Sequence, residues 1–327
     1  MKANCSCLVA AAICWLIGEV KPAFSQTWVI TSAPTNLDWQ SIACSADGTK
    51  IVAVSFGNPA VVYVSANSGS SWTSTVAPNI QFSPRVASSA DGTKLVEAAF
   101  SDELGTSTNS GKTWEWTQFA TNTALYGCIA SSADGTRLAA ANGYTSTNSG
   151  LTWTNKNYYW GWIAASANGT KLVATGYTPT WSVDNGLTEF RSTGPISVST
   201  NWGSTWTKTS APVLAWNSIA CSTNATKLVA AADEGIFTSA DSGETRKPAN
   251  TPTNLTWRCV ASSADGTKLA AAAHEGICLS ADSGVNWTFS PAPTNMIDLS
   301  ALASSADGTK LYAAFPGGAI YSVQRAR

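Results

Sequence analysis

Ser263-Ala264-Asp265-Gly266-Thr267-Lys268 decides the fold, because the same phrase returns along nearly the whole chain. It stands unchanged at Ser45–Lys50, Ser89–Lys94 and Ser305–Lys310, and with small changes at Ser132–Arg137, Ser166–Lys171 and Ser222–Lys227. The start-to-start spacings are 44, 43, 34, 56, 41 and 42 residues. A period of ~40–45 residues carrying several short strands per unit is the signature of a propeller or array. Around Asp265-Gly266, Arg258 to Ser263 alternates apolar and polar residues, and Lys268 to His274 follows as a second strand. Asp-Gly between two such runs is a tight-hairpin signal, since both residues tolerate positive φ. Glu275-Gly276 turns the chain into a third strand, Ile277 to Ser280, and a further turn leads through Trp287 into a fourth.

Seven such units predict an all-β, seven-bladed β-propeller of four-stranded antiparallel blades. The last unit supplies three strands, around Ser300–Ser305, Lys310–Ala314 and Ile320–Gln324. The start of the chain, Trp28-Val-Ile-Thr-Ser-Ala-Pro34, matches the segment Trp206-Thr-Lys-Thr-Ser-Ala-Pro212 that forms an outer strand later on. The N-terminal strand is therefore expected to join the last blade and close the ring, which removes the open ends of a linear array.

The second turn of each unit carries its own pattern, Ser-x-Asp/Asn-x-Gly-x-x-Trp. It occurs at Ser65–Trp72, Ser107–Trp114, Ser146–Trp153, Ser199–Trp206, Ser239–Arg246 and Ser280–Trp287, with Arg246 in place of the tryptophan in the fifth copy. Ser182-Val-Asp184-Asn-Gly186 reads as a displaced further copy. The pattern resembles the Asp-box, or BNR repeat, of sialidase-like, sortilin-type and photosystem II assembly-factor-type propellers. That resemblance implies the fold, because the repeat serves unrelated activities. The physics of the box is structural: the Asx side chain bonds its own turn, glycine supplies positive φ, and the tryptophan packs over the hairpin.

Residues 1–25 read as a signal peptide, with Lys2, an apolar stretch from Cys7 to Ile17, and Ala23-Phe24-Ser25 before Gln26. The remainder, 26–327, is expected to be one propeller domain, secreted or periplasmic and monomeric. No other segment approaches the ~20 apolar residues of a membrane span. Nineteen basic residues against 20 acidic ones, with no basic run, argue against a nucleic-acid partner. Beyond residue 25 the cysteines are Cys44, Cys128, Cys221, Cys259 and Cys278, without zinc spacing. They are read as buried small hydrophobes, with a Cys221–Cys259 bridge between neighbouring blades left open. No metal and no cofactor is expected.

Both kinds of repeated hairpin belong on one face, so the other face carries the variable loops, where binding and chemistry usually sit. Three residues before the apolar centre of each inner strand stand Trp39, Ser83, Tyr126, Trp160, Trp216, Trp257 and Leu299. Trp216 and Trp257, followed by Trp39, Trp160 and Tyr126, are the expected ligand contacts at the channel mouth, or else rings packed between blades. Trp162, Trp181 and Trp202 lie outside the pattern and are expected to be exposed. Asp102-Glu103, Asp233-Glu234 and His274-Glu275 fall in the same loops; Asp233, Glu234, His274 and Glu275 are the candidate acid–base residues. An insertion over Tyr177–Pro195 accounts for the 56-residue spacing and is expected to cap this face or extend a blade edge.

The sialidase-like resemblance implies an arginine triad, which this chain does not supply; of its arginines, Arg85, Arg191 and Arg258 alone are suitably placed. The leading expectation is an exported, non-catalytic binding module for a glycan or another exported protein. The alternative is a glycoside hydrolase or polysaccharide lyase, and the third an assembly scaffold.

Overall fold

A computed structural model describes residues 27–57, 61–75, 84–98, 103–119, 128–176, 179–184, 187–252, 255–293 and 299–324, with the backbone alone at 179–184, 187–192 and 324. The chain is all-β, and its antiparallel sheets form seven blades. Blade one is typical, running Asp38–Cys44, Ile51–Phe56, Val61–Ser65 and Thr73–Thr75 from the centre outward. The second strand of each blade is rich in alanine and valine, as in Leu269–Ala273, and is buried on both faces. Small β-compatible side chains let neighbouring blades approach closely, so each seam becomes its own apolar layer.

The expected closure is present. Thr27–Ile30 pairs antiparallel with Ile320–Gln324 and completes blade seven as its outer strand. Trp28 packs on Phe315 and Tyr321 with ring centroids 6.0 and 5.9 Å away, and its indole N–H reaches Ser290 Oγ of blade six at 3.2 Å. Thr31 N–H donates to the Ile320 carbonyl as Thr209 N–H does to Ile196, which bears out the match between the two segments.

The repeated phrase does more than turn the chain. In each copy the serine hydroxyl receives the backbone N–H of the residue five positions later, as Lys50 N–H to Ser45 Oγ at 3.0 Å. Serine and threonine hydroxyls and the threonine N–H donate to the aspartate, holding Asp47, Asp91, Asp134 and Asp307 down at about 2. The residue after each serine then donates its N–H to the same residue of the next blade, from Ala46 through Ala90, Ala133, Ala167, Thr223, Ala264 and Ala306 back to Ala46. These seven bonds, 2.7–2.8 Å long, form an unbroken circle of backbone around the axis.

A second set of links follows the lysines. Lys50, Lys94, Lys227 and Lys310 reach across the seam to Ser110, Ser149, Ser283 and Ser68 of the following blade at 3.1–3.4 Å. At the seam between blades six and seven Lys268 donates to the Asp307 carbonyl at 2.8 Å. At the seam between blades three and four Arg137 stands in the lysine position and Trp202 in the serine position, with the guanidinium 5.9 Å from the ring centroid. The two departures from the repeat therefore meet each other, exchanging a hydrogen bond for a cation–π contact. Trp202 is buried by it, contrary to the expectation of exposure.

The hairpin glycines are under real constraint. Gly266 has φ +65°, and a Cβ there would stand 2.8 Å from the Lys227 side chain of the preceding blade. Blade five nonetheless holds Ala225 at the equivalent position with φ +53°. Gly266→Ala is thus expected to fold but to lose about 1–2 kcal/mol, the cost of a left-handed non-glycine residue plus the displaced lysine. Urea unfolding of the variant against wild type measures it.

Glu97 breaks the seam chemistry. It occupies a position held by Ala53, Ala140, Ala174, Ala230, Ala271 and Ala313 in the other blades. Its side chain is 1 % exposed and neither carboxyl oxygen has a hydrogen-bond partner. Its strand neighbours are Val86 and Gly105, and Gly105 pairs in turn with Trp116, so the carboxyl shares the apolar face of the seam toward blade one.

Candidate functional site

On the variable face, the inner strands of blades one, five and six each carry a β-bulge just after the repeated tryptophan. The register shifts between Trp39 and Ser41, Trp216 and Ser218, and Trp257 and Cys259. The bulged residues Gln40, Asn217 and Arg258 have no ladder partner, and a bulge of this kind re-aims a side chain. Asn217 Nδ2 donates to Asp233 Oδ1 at 2.8 Å and to the Trp257 carbonyl of the next blade at 2.9 Å. Arg258 lies 3.1 Å from His274 Nε2. A guanidinium only donates, so Nε2 accepts and the proton of the neutral imidazole sits on Nδ1. Gln40 Nε2 donates to Asp38 Oδ1 at 2.9 Å, and Ser300 Oγ to the Trp39 carbonyl at 2.6 Å.

Arg85 lies below this rim. Its Nη1 donates to the carbonyls of Gln40 at 3.3 Å and Pro84 at 3.1 Å, and its guanidinium stands 5.5 Å from the Trp162 ring centroid across the axis. Cys128 and Cys259, on blades three and six, also feel its charge, and burial lowers its own pKa. Arg85 thus reaches toward inner strands from several blades. Trp162 is half-buried in this contact rather than freely exposed.

The aromatic ring at the mouth is largely core, which corrects its reading as a stacking platform. Trp39, Trp216 and Trp257 are 0–1 % exposed and present no open face. Trp39 meets Tyr63 and Trp216 meets Phe237 edge-on at 5.5 and 5.4 Å, and the Trp216 indole N–H donates to the Gly194 carbonyl at 2.9 Å. Trp160 is half-buried and Leu299 buried; Tyr126, Ser83 and Asp102 lie outside the described residues.

The acid–base candidates stand in two neighbouring turns of the variable face. Asp233-Glu234 and His274-Glu275 are the two-residue turns of adjacent blades, closed by Ala232 opposite Gly235 and Ala273 opposite Gly276. Asp233 and His274 are half-buried and already bonded to Asn217 and Arg258, whereas Glu234 and Glu275 are exposed to solvent. Among the described residues, no cluster of three or more His, Cys, Asp or Glu side chains fits a metal ion. All five described cysteines are free thiols, so Cys221 and Cys259 do not pair. Burial pushes Cys44, Cys221, Cys259 and Cys278 up to about 12, which leaves them unreactive at neutral pH.

The Tyr177–Pro195 insertion holds a hairpin of Pro179–Asp184 and Leu187–Gly194. Thr193 and Gly194 pair with Ala215 and Leu214, so the hairpin extends the inner edge of blade five at the variable face. Trp181, Asp184 and Arg191 sit in its strands, while Asn185-Gly186 of the displaced turn motif lie outside the described residues. Asn217 and Arg258 carry the clearest geometry at the mouth. The sequence signal for them is the variable position after a repeated tryptophan, occupied by Gln, Pro, Gly, Gly, Asn, Arg and Ser in turn.

No protein-family model matches the chain, and no curated protein matches it. Among solved structures the chain is similar to YCF48 from Cyanidioschyzon merolae, with TM-score 0.65 and 15 % identity over 92 % of this chain and 98 % of that one. It is similar to YCF48 bound to D1 peptide, with TM-score 0.63 and 12 % identity over 91 % and 96 % of the two chains. It is also similar to a catalytically inactive virginiamycin B lyase from Staphylococcus aureus with quinupristin, with TM-score 0.68 and 17 % identity over 92 % and 99 %. At these identities the likeness is one of fold: the chain is a seven-bladed β-propeller.

Proposed function

We propose that the protein is an exported, non-catalytic binding module of the Asp-box type, which holds a segment of another exported protein at the mouth of its variable face. The observation that carries this reading is the pair of bulges that turn Asn217 and Arg258 to the mouth, each fixed by a hydrogen bond to a neighbouring loop. Polar side chains held before a ligand arrives lose little freedom on binding, which favours affinity. The six Ser-x-Asx-x-Gly turns support the Asp-box assignment, the residue 1–25 pattern supports export, and a single closed ring is compatible with a monomer. Similarity to a propeller solved with a peptide supports a protein ligand in general. A glycan at the central mouth is less favoured, because Trp39, Trp216 and Trp257 offer no ring face to a sugar.

A lyase or hydrolase is the second reading, favoured by His274 and by the similarity to a lyase fold. The Arg258 guanidinium, however, occupies the Nε2 lone pair that a general base would use. Peptide and polysaccharide arrays probed with the full chain, Arg258→Ala, Asn217→Ala and His274→Ala separate the readings. A retained peptide ligand, weakened about tenfold in Arg258→Ala (roughly 1.4 kcal/mol) with unchanged thermal stability and no product, is the expected result. Product formation lost in His274→Ala overturns it.

A further inference from the structure

Four residues before each copy of the repeated phrase stand Ser41, Arg85, Cys128, Trp162, Ser218, Cys259 and Ala301. One falls on or beside the inner strand of each blade, so the seven form a single layer around the axis. The small members pack between neighbouring inner strands. Ser41 and Ser218 hydroxyls accept the N–H of Val86 and Val260 on the following blade at 3.2 Å, and Cys128 Sγ reaches the Ile163 carbonyl at 3.7 Å. The two large members, Arg85 and Trp162, meet each other instead. Arg85 is the one charged residue of the layer.

The Arg85 guanidinium is held on two sides and open on a third. Trp162 lies against it at 5.5 Å, and Nη1 is fixed by the carbonyls of Gln40 and Pro84. Nε and Nη2 make no hydrogen bond to a described residue, yet neither is fully buried, and Arg85 as a whole is half-buried rather than enclosed. Those two nitrogens share the edge of the guanidinium that takes a carboxylate side-on, by two parallel N–H···O bonds. No carboxylate among the described residues pairs with it; the groups that feel its charge are the thiols of Cys128 and Cys259. A cation drawn out of water without a partner is costly, and walls of low polarity strengthen its pull on an anion that reaches it. Cys259 also feels Arg258, so positive charge runs from the mouth down to the Arg85 layer.

We infer that the open edge of Arg85 is a carboxylate site below the mouth, which anchors an acidic group of the bound segment and in that respect rests on the peptide reading of the mouth. One guanidinium matches one negative charge, which favours a carboxylate over a phosphate dianion. An Asp or Glu side chain and a free chain end present the same pair of oxygens to it.

The test is NMR titration of the full chain, isotopically labelled at the arginine side-chain nitrogens, with sodium acetate and with capped tripeptides. The Arg85 Nε–H resonance, identified by its loss in Arg85→Gln or Arg85→Lys, is expected to shift to saturation with acetate. Sodium chloride at equal ionic strength is expected to act about tenfold more weakly (roughly 1.4 kcal/mol). Acetyl-Ala-Asp-Ala-amide and acetyl-Ala-Ala-Ala with a free carboxylate separate the two sources of the acid, and acetyl-Ala-Asn-Ala-amide is expected to be silent. Acetate is also expected to raise the melting temperature of wild type above its value in chloride, and to leave Arg85→Gln equal in the two salts. An unmoved resonance with acetate and both acidic tripeptides overturns the inference, even where an array retains a peptide. So does an equal response to acetate and chloride, or to the Asp and Asn tripeptides. A saturable carboxylate response with no peptide retained on an array upholds the site and removes the peptide reading instead.

Discussion

Trp257→Ala and Trp216→Ala are each expected to destabilise the protein by about 3–5 kcal/mol, the range for truncating a large buried ring. Trp257 lies in an apolar layer with Ile236, Val260 and Leu269, formed from blades five and six. Trp216 packs with Val173, Ile196 and Ile219 from blades four and five, and its N–H holds the carbonyl at the stem of the inserted hairpin. Removing either ring leaves a cavity in a seam that no flexible loop can collapse to fill. Urea midpoints at unchanged slope measure the loss. Trp216→Phe separates packing from the hydrogen bond, and is expected to lose less while loosening the hairpin. Variants that kept wild-type stability and lost a ligand would restore these rings to the role of a stacking platform.

Glu97 should make stability fall as pH rises. Its carboxyl has been moved from water into an apolar seam with no partner for either oxygen, so burial lifts its pKa well above the usual carboxylate range. In the unfolded chain it ionises near ~4.3. Between that pH and its folded pKa, the unfolded state has lost the proton and the native state keeps it. Stability then declines by about 1.4 kcal/mol per pH unit across that window. The groups facing it, Val86, Gly105 and Trp116 on its own blade and Val52, Val54 and Val62 on the neighbour, carry no charge that would offset this. Glu97→Gln keeps the shape and removes the titration. Urea unfolding at pH 5 and pH 7 should show wild type losing stability relative to Glu97→Gln as pH rises. Parallel curves would mean that water or a base reaches the carboxyl.

The positions of these two effects were unequally visible beforehand. The tryptophans stand out in the repeat, but period alone does not say whether a ring at a strand end faces the channel or the next blade. A bulge places the following residue, Asn217 or Arg258, at the mouth and turns the ring into the seam. Glu97 reads as an ordinary polar residue at the end of a strand. Its significance comes from alignment with six alanines and from the lack of any partner across the seam.

Some of the molecule was determined by the sequence by itself: seven units, four antiparallel strands in each, both repeated hairpins on one face, and closure by Trp28–Pro34. These follow from local chemistry, because turn residues and strand alternation act within a few positions and are written into each repeat. The tertiary structure alone decided which residues meet across seams and across the axis. It joined Arg137 to Trp202, set Arg85 against Trp162, buried the mouth tryptophans, and freed the Trp206 indole. Each of these depends on contact between residues tens of positions apart, where one local exception is answered by another on the neighbouring blade. Ring closure brings those exceptions together, and no period in the chain records it.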